Sequence, residues 1–300
     1  MRQPCDWGGG QAGRALVGVL LLLPSASLVL AFTVFPVAYN VWLSFFDKRT
    51  LGPAPAWVGL ENYVRLFEDP QVWLSIRFGV TYAVGSTLLQ TVIGVAAALV
   101  LQPRFPGRAL LRGVALFPYV IPTVIAVFVW RWLVNDMYGI VPYVARTLAI
   151  PGVPVVWLAS DTIMLLLIVI SGWAFFPFVL VNVLARLQTI PPELYEAARV
   201  DGASRVGQFI HVTLPQLRNV LLVVILLRGI WMFNKFDVPW FLGYGEGAGA
   251  AIRTLPVLTY QRAFQLQQAS MGAALSVVMF GMLLVVVSIY FVTCRPEDEA

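Results

Sequence analysis

Charged residues are scarce in this sequence. They make up 12% of its 300 residues, whereas hydrophobic residues make up 59%. Ordinary soluble domains are about 25% charged, and a soluble chain of this length still exposes roughly a quarter of its unfolded surface to water. Half the usual charge cannot cover such a surface with polar groups. The composition therefore argues against a soluble domain and predicts a protein that faces lipid.

Lysine, histidine and cysteine are almost missing, which excludes several kinds of site. The two lysines, Lys48 and Lys235, do not follow glycines, so the sequence has no loop in which glycine amides and a lysine cradle phosphates. One histidine and two distant cysteines, Cys5 and Cys294, cannot supply a zinc site. A Ser-His-Asp arrangement would have to use His211, which no nucleophile-elbow motif accompanies. We therefore predict that this chain binds no metal or cofactor and is not an enzyme.

Long apolar runs are what the sequence contains instead. A helix needs about 20 residues to cross the hydrocarbon core of a bilayer. Six runs reach that length: Ala15–Phe46, Val72–Leu101, Ala109–Val134, Thr162–Leu184, Val220–Trp240 and Met271–Thr293. They lack the alternation of barrel strands, so we predict an all-α membrane protein with six transmembrane helices. The first run follows Arg14 as a signal peptide would, but it is too long for one, and we expect it to be retained.

The distribution of arginine predicts how the spans are oriented. With six spans both termini lie on one side, and ten basic residues fall on that side against seven on the other. The positive-inside rule places the more basic side in the cytoplasm. Both termini, the 102–108 loop and the 185–219 segment are therefore predicted to be cytoplasmic, and Cys5 and Cys294 are not expected to form a disulfide there. The net charge of +5 follows from this bias and does not indicate a nucleic-acid partner.

The predicted domain organisation has one large unit. Polar tails at 1–14 and 294–300 flank a six-helix domain at 15–293. Its three outer loops are predicted at 47–71, 135–161 and 241–269; the second is interrupted by Pro142, Pro151 and Pro154, and the third begins with the Gly-rich stretch GYGEGAGAA. Five prolines lie within spans, at positions 24, 36, 118, 122 and 177. Their kinks indicate either irregular packing or a shaped pathway, above all in FPYVIPTVIA.

Few ionisable groups lie inside the predicted spans. Arg131 is near the end of the third span, and Arg228, Lys235 and Asp237 belong to the fifth. A charge at mid-membrane costs at least about 2.5 kcal/mol, so such groups usually face a partner or an aqueous cavity. Lys235 and Asp237 are two residues apart, on different faces of a regular helix, so they need not pair directly. Snorkelling towards the outer surface and cavity lining both remain open for them.

A polar segment, residues 190–215, interrupts the apolar second half. It carries Glu193, Glu196, Arg199, Asp201, Arg205 and His211. This charge excludes a span, while IPPELYEAARV begins with proline and places acids in a first turn, as helices do. Asp201-Gly202 is expected to end that helix, and Ser204 to cap a second one that stops before Pro215 starts the next span. We predict a helix, a sharp turn and a helix in the cytoplasm.

The first of these helices has a low-profile side that another protein can approach. Ala197 and Ala198 are small, and Glu196 and Asp201 offer acceptors at the turn. These residues favour a knob that docks into a groove of a cytoplasmic partner. A self-contained loop on the membrane interface is the alternative.

The same residues carry a resemblance to a known family. Glu196-Ala197-Ala198, then Gly202, then Leu214-Pro215 resemble the EAA loop of permease subunits in binding-protein-dependent ABC importers. LQTIPPELYEAARVDGAS is similar to the sugar-permease branch, of the maltose and glycerol-phosphate type. Further likenesses are FPVAYNVWLSF, VGLENYVRLFEDPQVW, FDVPWFLGYGEG and LPVLTYQRAFQLQQASMGAALSVVMF, so the resemblance covers about residues 15–293. The stretch GYGEGAGAA departs from the family's pattern, and Lys235 stands at a position where the family is variable. Inference about the solute from that region is therefore weak.

The resemblance implies a fold, partners and a mechanism. It implies the type I ABC importer permease fold, a second homologous permease subunit, two ATPase subunits or one homodimer, and an external solute-binding protein. ATP and Mg would be bound by the ATPase, not by this chain. Glu196, Ala197, Ala198, Asp201 and Gly202 match the motif that would dock in the ATPase. The membrane would be the cytoplasmic (inner) membrane of a bacterium or archaeon.

The solute pathway is the least determined part of the prediction. Sugars are held by aromatic faces and a few hydrogen-bonding groups. The candidates in this sequence are Trp173, Phe176, Asn182, Asn234 and Asp237. A sugar is the expected solute, and a polyol, a glycerol phosphodiester or another non-sugar carried by the same machinery is the alternative. If the solute is an anion, Lys235 and Arg228 become stronger candidates to bind it. An independent secondary transporter would show buried acids or inverted halves, which the sequence does not, and a scaffold without a solute path would have no polar cavity lining.

Overall fold

The computed structural model describes residues 11–52, 54–148, 156–159, 162–243 and 253–293. Their helices are α1 (Gln11–Val29), α2 (Phe35–Leu43), α3 (Glu61–Glu68), α4 (Pro70–Leu101), α5 (Arg108–Val120), α6 (Thr123–Leu133), α7 (Ile140–Thr147), α8 (Ile163–Leu187), α9 (Pro192–Val200), α10 (Arg205–Gln208), α11 (Leu214–Phe233), α12 (Asp237–Gly243), α13 (Leu255–Tyr260) and α14 (Ala269–Thr293). Strands β1 (Phe46–Asp47) and β2 (Ala56–Trp57) pair antiparallel. Helix α1 includes Gln11–Arg14, which were predicted to belong to the N-terminal tail.

The described residues contain five continuous helical stretches that are long and apolar enough to cross a membrane. They are Leu20–Leu43, Pro70–Leu101, Ile163–Leu187, Arg205–Phe233 and Ala269–Thr293. A sixth crossing is formed by α5 and α6 if this bent pair is counted as one. The predicted all-α membrane architecture is thus confirmed. The bounds of the fifth span, predicted as Val220–Trp240, were wrong: its helix begins at Arg205 and ends at Phe233.

The third span is broken, where the sequence predicted one helix from Ala109 to Val134. Its two helices are bent by 96° at Ile121 and Pro122. Proline disfavours helical backbone in the residue before it, and Ile121 is extended, with φ −68° and ψ 130°. Pro122 also lacks the N–H that would continue the hydrogen-bond ladder. The motif FPYVIPTVIA therefore makes a corner, which is more than the kink expected from its two prolines.

Widened helical turns carry two other spans past their prolines. Residues Leu30–Val34 and Phe209–Thr213 are π-helical. The N–H of Phe35 bonds to the Leu30 carbonyl, and that of Leu214 to the Phe209 carbonyl, just before Pro36 and Pro215. Such turns absorb a local disruption of the ladder without ending the helix. The prediction that Pro215 starts a separate span was therefore wrong.

The core of the fold is the packing of α4 along α8. Leu166, Leu167 and Ile170 of α8 are fully buried beside Tyr82 of α4, whose hydroxyl lies 2.7 Å from the Ser171 hydroxyl. The two helices approach closely because glycines interrupt their facing surfaces. The first span contributes nothing to this core, since none of the most apolar part of Leu20–Leu43 is buried.

The predicted first outer loop is an ordered cap on the bundle. The Asn62 side chain donates to the carbonyls of Ser44 and Phe46, both at 2.8 Å. The Lys48 amide donates to the Ser270 hydroxyl at 2.8 Å, and Arg262 forms an ion pair with Asp69. These bonds tie β1 and the start of α4 to the chain around the start of α14.

The second and third outer loops also contain helices. Pro142 was predicted to interrupt the second loop, but it lies in the first turn of α7, where a residue needs no N–H partner. The third holds α12 and α13. The predictions for Pro151, Pro154, the GYGEGAGAA stretch after its first residue and the 294–300 tail lie outside the described residues.

We expect Gly94→Ala to destabilise the protein. A Cβ at this position would lie 2.5 Å from the Cβ of Val179 and 3.1 Å from the backbone nitrogen of Leu180. Forcing extra volume into a packed core costs about 1–3 kcal/mol. The matched control is Gly113→Ala on α5, where a Cβ meets no atom within 4 Å. Thermal unfolding in detergent should show a lower midpoint for Gly94→Ala alone, and an unchanged or raised midpoint for that variant would contradict the close packing.

Candidate functional site

The polar segment 190–215 forms the predicted helix, turn and helix. Helix α9 ends at Val200 with Asp201 as its C-cap, and Gly202 adopts the left-handed conformation with φ +78°. The Ala203 N–H bonds to the Ala198 carbonyl at 2.9 Å, and the Gly202 N–H to the Arg199 carbonyl at 3.1 Å. This pair of bonds is the Schellman motif, which terminates helices at a glycine. The Asp-Gly stop read from the sequence is therefore confirmed.

One continuous helix follows the turn at Gly202. Ser204 caps α10, as predicted, by accepting a hydrogen bond from the Gly207 N–H at 3.2 Å. From Arg205 the helix runs through the π-helical turn into α11 without a break and ends at Phe233. The turn at Gly202 and the far end of the fifth span are therefore joined by one helix of 29 residues.

The turn is anchored to the bundle at its base and open at its tip. At the base, Arg186 donates to the carbonyl and the side-chain oxygen of Gln216, both at 3.0 Å, and the Tyr195 and Thr213 hydroxyls lie 3.1 Å apart. At the tip no atom lies within 4 Å of where a Gly202 Cβ would be. A rigid projection with free space around it is suited to enter another surface.

The exposed surface of this projection is more apolar than the sequence indicated. Glu196, Ala197, Asp201 and Gly202 are exposed as expected, and Ala198 is half-buried. Val200 is 88% exposed, which the sequence analysis did not single out. Glu196 and Arg199 approach to 3.8 Å, but a solvent-exposed pair of this kind contributes little to stability.

A second cluster of functional groups lies at the other end of α11. The chain leaves the helix at Asn234, and the Lys235 ammonium then forms an ion pair with the Asp237 carboxylate at 3.1 Å. The pair was not expected, because a regular helix through both residues would place them on different faces. Since the helix ends at Phe233, that geometry does not apply. The Lys235 ammonium also lies 4.5 Å from the centre of the Phe175 ring.

Arg228 is the most deeply buried charge of this cluster. Its side chain is 2% exposed, and its Nε donates to the Gln90 side-chain oxygen at 2.6 Å. The guanidinium carbon lies 4.9 Å from the centre of the Phe175 ring and 5.4 Å from that of Trp231. A cation this close to aromatic faces is attracted by them. Arg228 thus connects α11 with α4 and α8.

The structure brings together two of the five predicted pathway residues. Asn234 and Asp237 share the junction after α11, whereas the three on α8 have other partners. Trp173 makes an edge contact with Trp130 at 5.8 Å, and Asn182 donates to a carbonyl of its own helix at 2.7 Å. Phe176 packs against a hydrophobic cluster in the half of α8 and α11 that lies nearer the Gly202 turn.

Sequence reasoning missed Gln90, Phe175 and Trp231, which surround Arg228. A polar amide within an apolar span is a recognisable signal, because such groups usually face the bundle interior. The two aromatic residues carry no such signal among the many others in the spans. Only the packing of α8 against α11 identifies them.

Clusters of metal-ligating side chains are absent from the part of the chain that the structure describes. No group of three or more His, Cys, Asp or Glu side chains lies close enough to hold an ion. The arrangement of the two clusters, one projecting at Gly202 and one buried around Arg228, offers surfaces for binding and for transmitting movement.

Comparison with known proteins identifies the class to which this architecture belongs. The family model for the binding-protein-dependent transport system inner membrane component matches residues 90–294. The chain is 35% identical to the trehalose/maltose transport system permease protein MalF of Thermococcus litoralis, over 92% of this chain and 93% of that protein. It is 32% identical to the sulfoquinovosyl glycerol transport system permease protein SmoG of Agrobacterium fabrum, over 95% and 92%.

A solved structure shares the fold. A chain of the bacterial alginate ABC transporter, in complex with an alginate pentasaccharide-bound periplasmic protein, superposes with a TM-score of 0.81 at 21% identity, covering 94% of this chain and 95% of that one. This chain therefore belongs to the family of inner membrane components of binding-protein-dependent transport systems, and it is a multi-pass membrane permease. The fold and family expected from the EAA residues are confirmed.

We expect Lys235 and Asp237 to be energetically coupled. Their side chains are 21% and 29% exposed, so neutralising one leaves the other charge partly desolvated. Lys235→Gln and Asp237→Asn should each lower the thermal unfolding midpoint in detergent, and the double variant should recover part of the loss. The expected coupling is about 1–2 kcal/mol.

The exposed Arg65–Glu61 pair provides the matched control. The same cycle of amide substitutions there should yield only about 0.3–0.5 kcal/mol, because both side chains are in water and screened. Equal coupling at the two pairs would contradict the importance assigned to the junction after α11.

Proposed function

We propose that this chain is the permease subunit of an ATP-driven sugar importer and forms half of its translocation pathway. The observation that carries the proposal is the open turn at Gly202, which one unbroken helix joins to the charged junction after Phe233. Force applied at the turn acts on the whole helix Arg205–Phe233. The arrangement thus supports a subunit that receives mechanical work at one end and changes a cavity at the other.

The proposed mechanism is alternating access. A cytoplasmic ATPase would grip the surface formed by Glu196, Ala197, Ala198, Asp201 and Gly202, with ATP and Mg bound by that partner. Closure of the ATPase pair would move the turn, and the cavity between two homologous permeases would switch between inward and outward states. Thermodynamic linkage requires that the two cavity states present different turn positions to the ATPase.

The remaining partners and the orientation follow from the same scheme. An external solute-binding protein would deliver the solute to the side on which α3, α12 and α13 lie, and a second permease would complete the cavity. Arginine bias places both termini and the Gly202 turn in the cytoplasm. The membrane is then the cytoplasmic membrane of a bacterium or archaeon, in keeping with the sources of the relatives.

A sugar is the solute class that the available contacts favour. Trp231 is 41% exposed and lies about one helical turn before Asn234, and the Lys235–Asp237 pair follows directly in the chain. An aromatic surface and hydrogen-bonding groups, the two features that hold sugars, therefore occur in one short segment. The relative named for trehalose and maltose makes these two sugars the first to test. The relative named for sulfoquinovosyl glycerol supports a glycoside of glycerol as the second candidate.

Reconstitution tests the function directly. The chain is co-expressed with the second permease, the ATPase and the solute-binding protein proposed above. The complex is purified in mild detergent and placed in liposomes. We expect an ATPase to co-purify with the chain. Labelled trehalose or maltose should enter the vesicles only when ATP is present in the vesicle lumen, on the cytoplasmic side of the importer. A chain that transports without an ATPase would contradict the proposal.

We expect Gly202→Trp to uncouple transport from ATP hydrolysis. The φ of +78° disfavours most side chains by roughly 1–2 kcal/mol, and an indole would fill the open space at the tip. Uptake should fall at least tenfold while membrane insertion and yield stay near wild type. Gly202→Asn is the matched control, because asparagine tolerates this conformation and is small. Wild-type uptake by Gly202→Trp would exclude docking at this turn.

A further inference from the structure

We infer that Arg228 is a positioning residue, which holds the aromatic side chains of α8 and α11 and the Lys235–Asp237 pair in place along the solute pathway. The inference rests on the proposed function, because it takes the junction after α11 to line that pathway. It assigns a role to a buried charge that neither coupling to an ATPase nor helix packing alone requires.

The first step is the charge of Arg228 itself. A cation buried to 2% exposure inside a membrane span needs compensation. Among the described residues no carboxylate forms an ion pair with it, since the only acid near this cluster, Asp237, is paired with Lys235. The compensation comes from the Gln90 oxygen, at 2.6 Å, and from aromatic faces.

The orientation of the Gln90 side-chain amide is set by Arg228. Arginine has only donors, so the amide must turn its oxygen towards Arg228. Its buried NH2 group then has no hydrogen-bond partner among the described residues. A buried donor is rarely left unpaired. The amide is thus fixed in one orientation by the guanidinium.

The second step is the set of rings around the guanidinium. Phe178 and Trp231 meet edge to face at 5.1 Å, and the Arg228 guanidinium carbon lies 5.7 Å and 5.4 Å from their centres. The charge thus sits against both rings of an interhelical contact. Because Trp231 is 41% exposed, the outer part of this contact is available to a solute.

The third step links the buried charge to the junction. Phe175 has Arg228 at 4.9 Å and Lys235 at 4.5 Å from its ring centre, so both cations use the same ring. Tyr119 contacts that ring edge to face at 6.3 Å. A displacement of Phe175 would therefore move Lys235 and its partner Asp237.

The role is positioning, not contact with solute. The guanidinium is nearly inaccessible, whereas Trp231 and Asn234 are exposed and Lys235 is partly so. Removal of the charge should leave these groups present but less well placed. The effect should therefore appear in the apparent affinity for solute and not in the maximal rate.

The test compares three variants in the reconstituted importer with trehalose as the probe. Arg228→Lys keeps a cation near the rings, Arg228→Met keeps length without charge, and Gln90→Leu removes only the acceptor. Arg218→Met is the control, an exposed arginine on the same helix. Trp231 is followed separately by fluorine NMR of protein labelled with 5-fluorotryptophan, its signal being assigned with Trp231→Phe.

We expect Arg228→Met to raise the trehalose concentration for half-maximal uptake at least tenfold, with the maximal rate within twofold of wild type. Arg228→Lys should stay within threefold, Gln90→Leu should fall between the two, and Arg218→Met should match wild type. The Trp231 fluorine signal should shift in Arg228→Met and keep its position in Arg228→Lys.

Two results would overturn the inference. One is an unchanged Trp231 signal in Arg228→Met; the other is a fall in maximal rate, equal in the Lys and Met variants, with no change in half-saturation. If Arg228→Met does not assemble, Gln90→Leu decides, and wild-type half-saturation with an unchanged Trp231 signal in that variant counts against positioning. A wild-type complex without any ATPase activity would instead contradict the proposed function, and the fluorine signal would still decide the role of Arg228.

Discussion

The close approach of α4 to α8 is the interaction on which the rest of this structure depends. Where Gly94 faces Val179 and Gly85 faces Ile168, the backbones come near enough for side chains from Tyr82 to Leu101 of α4 to pack against α8. In a bilayer, where lipid is as apolar as leucine, such packing and interhelical hydrogen bonds replace the hydrophobic drive of soluble folding. The bond between the Tyr82 and Ser171 hydroxyls adds to it.

This contact also creates the polar interior that α11 completes. With α4 and α8 held together, Gln90 and Phe175 lie close enough for one side chain from a third helix to reach both. Arg228 makes that connection through a hydrogen bond and a ring face. A buried cation that needs two helices at once penalises any arrangement in which they separate, so it favours one register of α11 against them.

Local signals in the sequence accounted for local structure. The Asp201-Gly202 stop and the Ser204 cap were predictable because each depends on the chemistry of two or three neighbouring residues. The six spans were predictable because hydrocarbon thickness sets their length. The end of the fifth helix at Phe233 was not, since no glycine or proline marks it, and the Lys235–Asp237 pair was missed as a consequence.

Features that depend on contacts between residues far apart in the chain could not be predicted from the sequence. The prolines of FPYVIPTVIA predicted a distortion of the helix, but the 96° bend between α5 and α6 also depends on what each of these helices packs against. Contacts between α5 and α8, and between α6 and α12, give the two halves different neighbours. The environment of Arg228 likewise joins positions 138 residues apart in the chain.

The two ends of the fifth helix impose opposite demands on its sequence. At Gly202 the chain needs an exposed, sharply bent turn with open space around it, so small and polar residues suffice. At Arg228 it needs a fixed helix whose side chains are held by two neighbours. The π-helical turn at Phe209–Thr213 lies between them and carries the helix past Pro215 without a break. Because the helix is continuous, a displacement at Gly202 has to be absorbed where α11 meets α4 and α8, which is where the buried charge lies.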